Sequence, residues 1–369
     1  MISKEDFHVN KFLGCGCYSL VYEVEKKTGR DAGKKYAFKK FFLLTSSAIR
    51  CVLRERHILV RLSDHQEKSP FLPTLYYSLW IPFSPVFIIT ESCGKDIYDL
   101  IQNFGLIDEK EAKFYISELI CGLELIHSLG IIHLDIKPEN VLFREDGHIF
   151  LADFDRSYDK ELMADRIPDD DDFTGTPLFM APEIAKGQII TEKADIWSLG
   201  VLLAELVSGP IRKGGRTNEE DFEMARNGRY TIREFSKLTK GLKSFFHSCL
   251  KADYKQRANI TMLRSSIFLK NTDWSGFKSL KIKPPYLPKD FEHRPSKQDK
   301  KLIESSDENL LNDAFAKTPT YDYGSKRLKK FQENNYVKKK VLDEGEKETE
   351  ADLLEKFKNF EYFNNHVSD

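Results

Sequence analysis

The sequence predicts an α+β fold of two lobes, a small β-rich N-terminal lobe and a larger helical C-terminal lobe, followed by an extended C-terminal tail. Three observations predict it. Residues 7–91 alternate apolar and polar side chains between turn glycines, which is typical of strands. From residue 96 onward, apolar residues recur at helical spacings. Near residue 270 the chain becomes rich in Lys, Glu, Asp and Asn, with few periodic apolar segments.

These patterns predict three segments with stated limits. The N-terminal lobe covers 7–91 and contains one helix, at 47–62, among its strands. The C-terminal lobe covers 92–268 and includes the periodic helix of KEAKFYISELICGLELIHSLG, which Gly130 ends, and a mostly apolar helix from Lys193 to Ser208. Residues 269–369 form a tail that we expect to be partly disordered.

Composition excludes several classes of protein. The 369 residues include 57 Lys plus Arg against 58 Asp plus Glu, so a net charge of −1 gives no global attraction to nucleic acid or to an anionic membrane. At 41% apolar residues, the chain is neither a membrane bundle nor wholly disordered. The six cysteines form no CxxC pair, and the N-terminus lacks an apolar signal-peptide core. These features predict a cytoplasmic or nuclear location and no membrane span.

A glycine-rich turn lies between the first two predicted strands. Glycines at this turn would let backbone amides approach phosphates closely, although an ordinary hairpin turn explains the motif alone equally well. A strand follows it, so it is not the dinucleotide-binding fingerprint. The candidate cofactor-binding residues of this turn are Leu13, Gly14, Cys15, Gly16, Cys17, Tyr18, Ser19, Leu20 and Val21.

A lysine follows in the strand Ala37-Phe38-Lys39. An inward-pointing strand lysine is costly unless it meets an anion. Its predicted partner is Glu55, in the amphipathic helix VLRERHILVRL. Each residue alone reads as a solvated surface charge, but together with the glycine-rich turn they favour a phosphate site.

The most specific signal is the run His133-Leu134-Asp135-Ile136-Lys137-Pro138-Glu139-Asn140. Asp153-Phe154-Asp155 and Ala181-Pro182-Glu183 follow it at matching intervals. Order and spacing resemble the set H-R-D-x-x-x-x-N, D-F-G and A-P-E of eukaryotic protein kinases. The resemblance covers residues 7 to about 268.

That resemblance implies the residues of a phosphoryl-transfer site, which works by positioning and charge neutralisation with ATP and Mg²⁺. Lys39 would hold the α- and β-phosphates and be oriented by Glu55. Asp135 would accept or orient the proton of the substrate hydroxyl. Asn140 and Asp153 would ligate Mg²⁺, a hard ion that prefers oxygen ligands.

Other site residues follow from the same resemblance. Lys137, two residues after the aspartate, and Thr176 in GTPLFMAPE are typical of serine/threonine kinases rather than tyrosine kinases, and Lys137 would neutralise the γ-phosphate. Adenine would lie among Val21, Ala37 and the segment from Glu91 to Cys93. Asp96 would contact the ribose. Three further residues are interpreted as structural. Glu183 would pair with Arg257, Asp195 would cap the backbone of the catalytic loop, and His133 would support that loop.

Further phrases resemble the AGC group of these kinases. They are the stretch DGHIFLADF, the segment KSPFLPTLYYS and the tail sequence NTDWSGFKSLKIKPPYLPK. Near the end, Phe357-Lys358-Asn359-Phe360-Glu361-Tyr362 has the form of the AGC hydrophobic motif. The resemblance implies that Phe357, Phe360 and Tyr362 dock on the chain's own N-lobe, and that Glu361 supplies the charge that a phosphorylated Ser or Thr carries in many members. A tail helix that packs elsewhere remains the alternative.

Departures from the family pattern leave a second function open. Leu134 replaces the arginine that neutralises an activation-loop phosphate, Asp172 stands at the phosphothreonine position, and Asp155 replaces the glycine of D-F-G. We therefore expect a serine/threonine kinase that is independent of activation-loop phosphorylation, with its loop held by carboxylates. The other interpretation of the run Asp169-Asp170-Asp171-Asp172 is a solvated acidic loop. The alternative is a pseudokinase scaffold that binds nucleotide or partners with little turnover. Acidic residues interleave with the basic tail runs, so a nucleic-acid partner is not expected.

Overall fold

The computed structural model describes residues 4–16, 19–43, 46–80, 86–91, 94–163, 175–211, 217–293 and 355–364. The chain divides into two compact units. The sheet unit lies within residues 1–66, 73–94 and 294–369, and the helical unit lies within residues 67–72 and 95–293. The predicted limits of the lobes and the tail stay a prediction.

An antiparallel sheet forms the centre of the sheet unit. Side chains of alternate residues, such as Leu20, Tyr22 and Val24, are completely buried, because one face of the sheet covers the core. The strands are β1 (Phe7–Cys15), β2 (Ser19–Lys26), β3 (Lys35–Phe41), β4 (Tyr77–Leu79), β5 (Val86–Glu91) and β10 (Tyr362–Phe363). Their order in the described part of the sheet is β1-β2-β3-β5-β4-β10.

One helix, α1 (Ser46–Asp64), belongs to the same unit and matches the helix predicted at 47–62. Its apolar stripe buries Val52, Ile58 and Leu59, while Glu55 is also buried on this helix. The helix thus brings a carboxylate from a polar stretch of sequence into the interior.

The helical unit contains the remaining described elements. Its helices are α2 (Ile97–Phe104), α3 (Glu109–Ser128), α4 (Pro182–Ala185), α5 (Lys193–Ser208), α6 (Asn218–Asn227), α7 (Lys240–Cys249), α8 (Ile260–Arg264) and α9 (Trp274–Lys278). Its strands form two antiparallel pairs, β6 (Ile131–Ile132) with β9 (Tyr158–Asp159) and β7 (Val141–Phe143) with β8 (Ile149–Leu151). Short 3-10 helices cover Pro138–Asn140, Phe235–Lys237, Tyr254–Gln256 and Pro288–Asp290, and a further one, Lys4–Asp6, belongs to the sheet unit.

Helix α3 begins and ends where its local sequence directs. The Asp108 carboxylate accepts a hydrogen bond from the Glu111 amide at 2.8 Å, and the Glu111 carboxylate accepts one from the Asp108 amide at 2.9 Å. After the helix, Gly130 takes a φ of 75°, a conformation that favours glycine. The predicted helix that ends before Gly130 and the predicted helix at Lys193–Ser208 are therefore both confirmed.

These elements hold one loop at both ends. Strand β6 ends at Ile132 and β7 begins at Val141, so residues 133–140 run between two strands that are each paired to a neighbour. The sheet of one unit and the helices of the other confirm the predicted α+β fold class.

Candidate active site

The glycine-rich turn joins β1 to β2 in the sheet unit. Gly14 pairs with Val21 across the hairpin, and the Gly16 amide donates to the Ser19 carbonyl at 2.9 Å. A Cβ atom on residue 16 would lie 2.8 Å from the Ser19 hydroxyl, so a side chain there would require that hydroxyl to move. The space next to Gly14 is open. The turn thus leaves glycine backbone accessible at position 14.

Other residues predicted for this loop have different surroundings. Ser19 and Leu20 are buried, and Leu20 belongs to the hydrophobic core of the sheet. Leu13 is half-buried. Cys17 and Tyr18 lie outside the described residues.

Lys39 and Glu55 form the pair that the sequence predicts. Lys39 lies in the middle of β3, opposite Val21 of β2 and Ile88 of β5. Its Nζ donates to both oxygens of the Glu55 carboxylate, at 3.0 and 2.8 Å. The ammonium also lies 4.9 Å from the centre of the Phe41 ring. Both side chains are largely buried, so the carboxylate compensates the charge that burial would penalise.

The predicted adenine-contacting residues lie on neighbouring strands. Ala37 of β3 is buried and pairs with Thr90 of β5. The carboxylate of the next residue, Glu91, accepts a hydrogen bond from the Thr74 amide at 2.7 Å. This side chain therefore stabilises the chain segment at Thr74. Cys93 lies outside the described residues.

Asp96 belongs to the helical unit and caps α2. Its carboxylate accepts a hydrogen bond from the Asp99 amide at 2.8 Å, and the Asp99 carboxylate accepts one from the Asp96 amide at 3.0 Å. Burial, and then the negative charge of Asp99, raise the pKa of Asp96 to about 8. The residue that the sequence assigns to ribose thus also begins a helix.

The loop at 133–140 gathers hydrogen-bond donors around the Asp135 carboxylate. Its Oδ2 accepts from Lys137 Nζ at 2.7 Å and from Asn140 Nδ2 at 3.0 Å. Its Oδ1 accepts from the Thr176 amide at 2.9 Å. Three donors from two segments therefore orient one carboxylate and aim it in one direction.

Lys137 connects the same loop to the segment that begins at Gly175. Its ammonium also donates to the Thr176 hydroxyl at 3.0 Å. Burial lowers the pKa of Lys137, but the nearby Asp135 carboxylate outweighs that effect and the pKa is raised overall. Lys137 is accordingly a permanent positive charge in this site.

One buried carboxylate holds the backbone of the loop at 133–140. Asp195 of α5 accepts from the amides of His133 and Leu134 at 2.9 and 2.8 Å, and it also bonds His127 Nε2 at 2.8 Å. The predicted contact of Asp195 with the loop backbone is therefore present. Leu134 has a φ of 65°, unusual for leucine, and the Asp195 contact holds it there.

His133 supports the loop as a neutral ring. Burial lowers its pKa, despite the nearby Asp195. Its Nε2–H donates to the Ala152 carbonyl at 3.0 Å, and its Nδ1 accepts from the Asp135 amide at 3.3 Å. The ring packs edge-on against the buried Phe154, with centroids 4.9 Å apart.

The departure at Asp155 requires no unusual backbone. Of the described residues, Asp153 has a φ of 69°, whereas Asp155 is not among those with positive φ. The Asp155 carboxylate lies 3.8 Å from Arg156 Nε. Aspartate can therefore replace glycine at this position without strain in the left-handed region.

Asn140 and Asp153 offer one amide and one carboxylate as potential metal ligands. Among the described residues, no group of three or more His, Cys, Asp or Glu side chains could hold a metal ion. Mg²⁺ does not need such a cage, because it is usually bound through one or two protein groups together with substrate phosphates and water. The donor set thus fits magnesium that arrives with a nucleotide.

Sequence reasoning missed one contribution to the site, the close approach that Gly175 allows. A Cβ atom on Gly175 would lie 2.8 Å from the Leu134 carbonyl, so only glycine lets this segment approach the loop. Sequence reasoning also did not single out Glu205 of α5, whose pKa is raised to about 7 by burial and then by the charge of Glu139. Gly175 has a signal in the G-T-P motif, whereas Glu205 lies in an apolar helix that gives none.

The segment 355–364 packs on the sheet unit. Phe357 and Phe360 are 1% and 2% exposed, and the Phe357 ring stacks on Trp80 with centroids 5.2 Å apart. The Tyr362 hydroxyl donates to the Asp64 carboxylate at 2.8 Å. Strand β10, which includes Tyr362, extends the sheet beside β4.

Comparison with known proteins gives matches over most of the chain. The family model described as protein kinase domain matches residues 7–269. Ribosomal protein S6 kinase alpha-6 of Homo sapiens is 32% identical over 291 residues, covering 76% of this chain and 37% of that protein. Ribosomal protein S6 kinase alpha-2 of Mus musculus is 31% identical over 295 residues, or 76% of this chain and 38% of that protein.

A relative from another branch covers more of the chain. Protein kinase C-like 1 of Caenorhabditis elegans is 29% identical over 326 residues, covering 86% of this chain and 44% of that protein. The chain thus spans about two fifths of the length of the curated relatives it matches.

Proposed function

Since this chain belongs to the protein kinase family, we propose that it transfers the γ-phosphate of ATP to serine and threonine hydroxyls of protein substrates. The sequence-based assignment to the AGC group of serine/threonine kinases is confirmed by relatives among the S6 kinases and a protein kinase C-like protein. Protein kinases use ATP and Mg²⁺, so the predicted cofactors are confirmed for the family.

The arrangement around Asp135 is the observation that carries the proposal. A substrate hydroxyl needs an ionised acceptor for its proton, and Lys137, Asn140 and the Thr176 amide direct their donors at this carboxylate. The Lys137 ammonium, shared between Asp135 and Thr176, is proposed to neutralise the γ-phosphate as it moves.

The remaining roles are proposed on the same footing. Lys39, oriented by Glu55, would bind the α- and β-phosphates, and Asn140 with Asp153 would hold the Mg²⁺ that neutralises phosphate charge. The glycine backbone at position 14, Ala37 and the segment at Glu91 would surround the nucleotide. Asp96 would contact the ribose while it caps α2.

The experiment that tests this function measures both ADP production and phosphate transfer to a basic acceptor protein, with Mg-ATP. Asp135→Asn serves as the matched blank, because it preserves the shape of the side chain. Transfer no higher than in the blank would contradict the proposal and favour the alternative function, a scaffold that binds nucleotide or partners with little turnover.

We further propose that a basic side chain of the substrate binds Glu205 and Glu139. The charge of Glu139 contributes to the raised pKa of Glu205, so the two carboxyl groups act on each other. A cation between two carboxylates removes that repulsion, which gives the site affinity for Lys or Arg.

A pH dependence follows from this proposal. As pH rises from 6 to 8, Glu205 ionises and we expect the KM for a basic peptide to fall by about tenfold, since a hydrogen bond to a charged group contributes roughly 1.5 kcal/mol. Initial rates against peptide concentration at each pH measure this. Glu205→Gln should flatten the profile, and an unchanged profile in that variant would refute the assignment.

Stability should respond to pH in the opposite direction. The folded-state pKa of Glu205 lies above its ordinary value, so the folded state is favoured by the neutral carboxyl group. That stabilisation is complete below the unfolded pKa and is lost as pH rises through about 7. Melting temperatures of the wild type and Glu205→Gln, measured without substrate from below the unfolded pKa to above pH 7, separate this effect on stability from substrate binding.

We propose that activity does not depend on phosphorylation of the activation loop. The supporting observation is Leu134, a buried apolar residue at the position where the family carries arginine, so this side chain offers a loop phosphate no charge. Asp172 and the acidic run 169–172 lie outside the described residues. Phosphatase treatment should change the specific activity less than twofold, within about 0.4 kcal/mol. A loss of activity that returns on rephosphorylation would overturn this proposal.

We also propose that the hydrophobic motif of the tail docks on the chain's own N-lobe and helps to position α1. The supporting contacts are the buried rings of Phe357 and Phe360, the stack on Trp80 and the pairing of β10 with β4. Helix α1 carries Glu55, so a tail that stabilises this helix also stabilises the Lys39–Glu55 pair.

Of the helices in the described ranges, not one has the length and apolar character that crossing a bilayer requires.

A cytoplasmic or nuclear location is proposed from the cysteines alone: Cys51, Cys121 and Cys249 are free thiols in the interior. Imaging of the tagged full chain tests this, and secretion would contradict it.

A further inference from the structure

The tail leaves a row of main-chain acceptors at the surface of α1. Residues 355–357 are helical, and the Phe360 amide donates to the Phe357 carbonyl at 3.0 Å. The carbonyls after such a turn have no partner within it and need donors from elsewhere. Three of them, those of Asn359, Phe360 and Glu361, face the same side chain.

That side chain is Arg56, the residue after Glu55. Its Nε donates to the Phe360 carbonyl at 3.0 Å, and its Nη2 donates to the Asn359 carbonyl at 2.6 Å and to the Glu361 carbonyl at 3.4 Å. The guanidinium carbon also lies 5.5 Å from the centre of the Phe360 ring. The fixed fork of a guanidinium suits several acceptors at once, which an ammonium would not match.

The carboxylate of Glu361 takes no part in this contact. It is exposed, and no Lys, Arg or His of the described residues lies within ion-pair distance of it. The negative charge near Arg56 comes instead from Asp64, which also accepts the Tyr362 hydroxyl. Among the described residues, no cation therefore lies where it would receive the charge that Glu361 is expected to supply.

We infer that Arg56 is a positioning residue that holds the tail by its backbone, so that docking is independent of charge at residue 361. The inference rests on the proposed docking of the tail and adds how docking is regulated: neither a phosphate nor its mimic is needed. Arg56 and Glu55 are consecutive residues of α1. The same turn of this helix therefore carries both the residue that contacts the tail and the partner of Lys39.

Hydrogen exchange in the full chain tests this inference without reference to activity. The Asn364 amide donates to the Tyr76 carbonyl at 2.9 Å and reports whether the tail is docked. We expect Arg56→Ala to speed exchange at this amide at least tenfold, Arg56→Lys to restore part of the protection, and Glu361→Gln to change it less than twofold. Alanine favours helix, so α1 should keep its own protection.

A full-length variant with Phe357→Ala and Phe360→Ala provides the undocked reference. If Glu361→Gln speeds exchange as much as Arg56→Ala does, docking depends on charge and the inference is wrong. Equal exchange in Arg56→Ala and wild type would also overturn it.

Activity separates this inference from the proposed function of the tail. We expect the kcat of Arg56→Ala to fall as far as that of the undocked reference, while its KM for ATP stays near the wild-type value. The kcat of Glu361→Gln should stay near the wild-type value. If the undocked reference keeps full activity, the proposed role of the tail fails, while the exchange result still decides whether Arg56 holds it.

Discussion

Asp135→Asn is expected to lower the rate of phosphate transfer by about 10²–10⁴-fold, the usual contribution of a positioned general base. The carboxylate accepts three hydrogen bonds, from Lys137, Asn140 and the Thr176 amide. An asparagine has the same shape but only one accepting oxygen, so it loses both the proton acceptor and one of the contacts that orient the side chain.

The measurement is single-turnover transfer to a basic acceptor protein at saturating Mg-ATP. Binding of ATP should change little, because this residue is proposed to act on the substrate hydroxyl rather than on the adenine or ribose. Nucleotide affinity and melting temperature serve as controls. A rate within tenfold of wild type, with these controls unchanged, would show that Asp135 is not the base.

The second large effect concerns stability. Arg257 is 1% exposed and forms a two-pronged ion pair with Glu183, with distances of 2.6 and 2.8 Å. It also donates to the carbonyls of Lys193 and Lys251, at 2.6 and 2.9 Å. Replacing it with methionine leaves a buried carboxylate without its cation, and we expect a loss of about 3–5 kcal/mol in the free energy of unfolding.

Urea unfolding of the full chain measures this loss. The matched control is the surface pair of Arg226 and Glu219, whose charged atoms lie 2.7 Å apart but whose side chains are 41% and 75% exposed. Arg226→Met should cost less than about 1 kcal/mol. The double variant Arg257→Met with Glu183→Met should be more stable than Arg257→Met alone, because no charge remains buried. If Arg257→Met costs no more than Arg226→Met, the buried pair does not stabilise the fold.

Much of the fold could be predicted from the sequence because local signals determine local structure. Helix α5 has the limits that its apolar stretch predicts, Lys193–Ser208, and α3 ends before Gly130 as expected. The pairing of Lys39 with Glu55 could also be predicted, since an inward lysine on a strand needs an anion and the next helix provides one.

Other features could not be predicted, since they depend on main-chain contacts and on shared burial that have no sequence signature. The Thr176 amide reaches Asp135 because Gly175 permits close approach, a distance that no motif encodes. Glu205 has a pKa near 7 because burial in α5 and the charge of Glu139 act on it together. Periodicity reports which face of a helix is buried, but not which charges share that interior.

By itself, the sequence determined the α+β class, the family and the residue types of the site, because these follow from periodicity and motif spacing. Only the tertiary structure decided how the tail is held. The motif around Glu361 suggests recognition of a charge, whereas Arg56 contacts the carbonyls of residues 359–361. Every residue has a carbonyl, so only the folded chain selects which of them meet a donor.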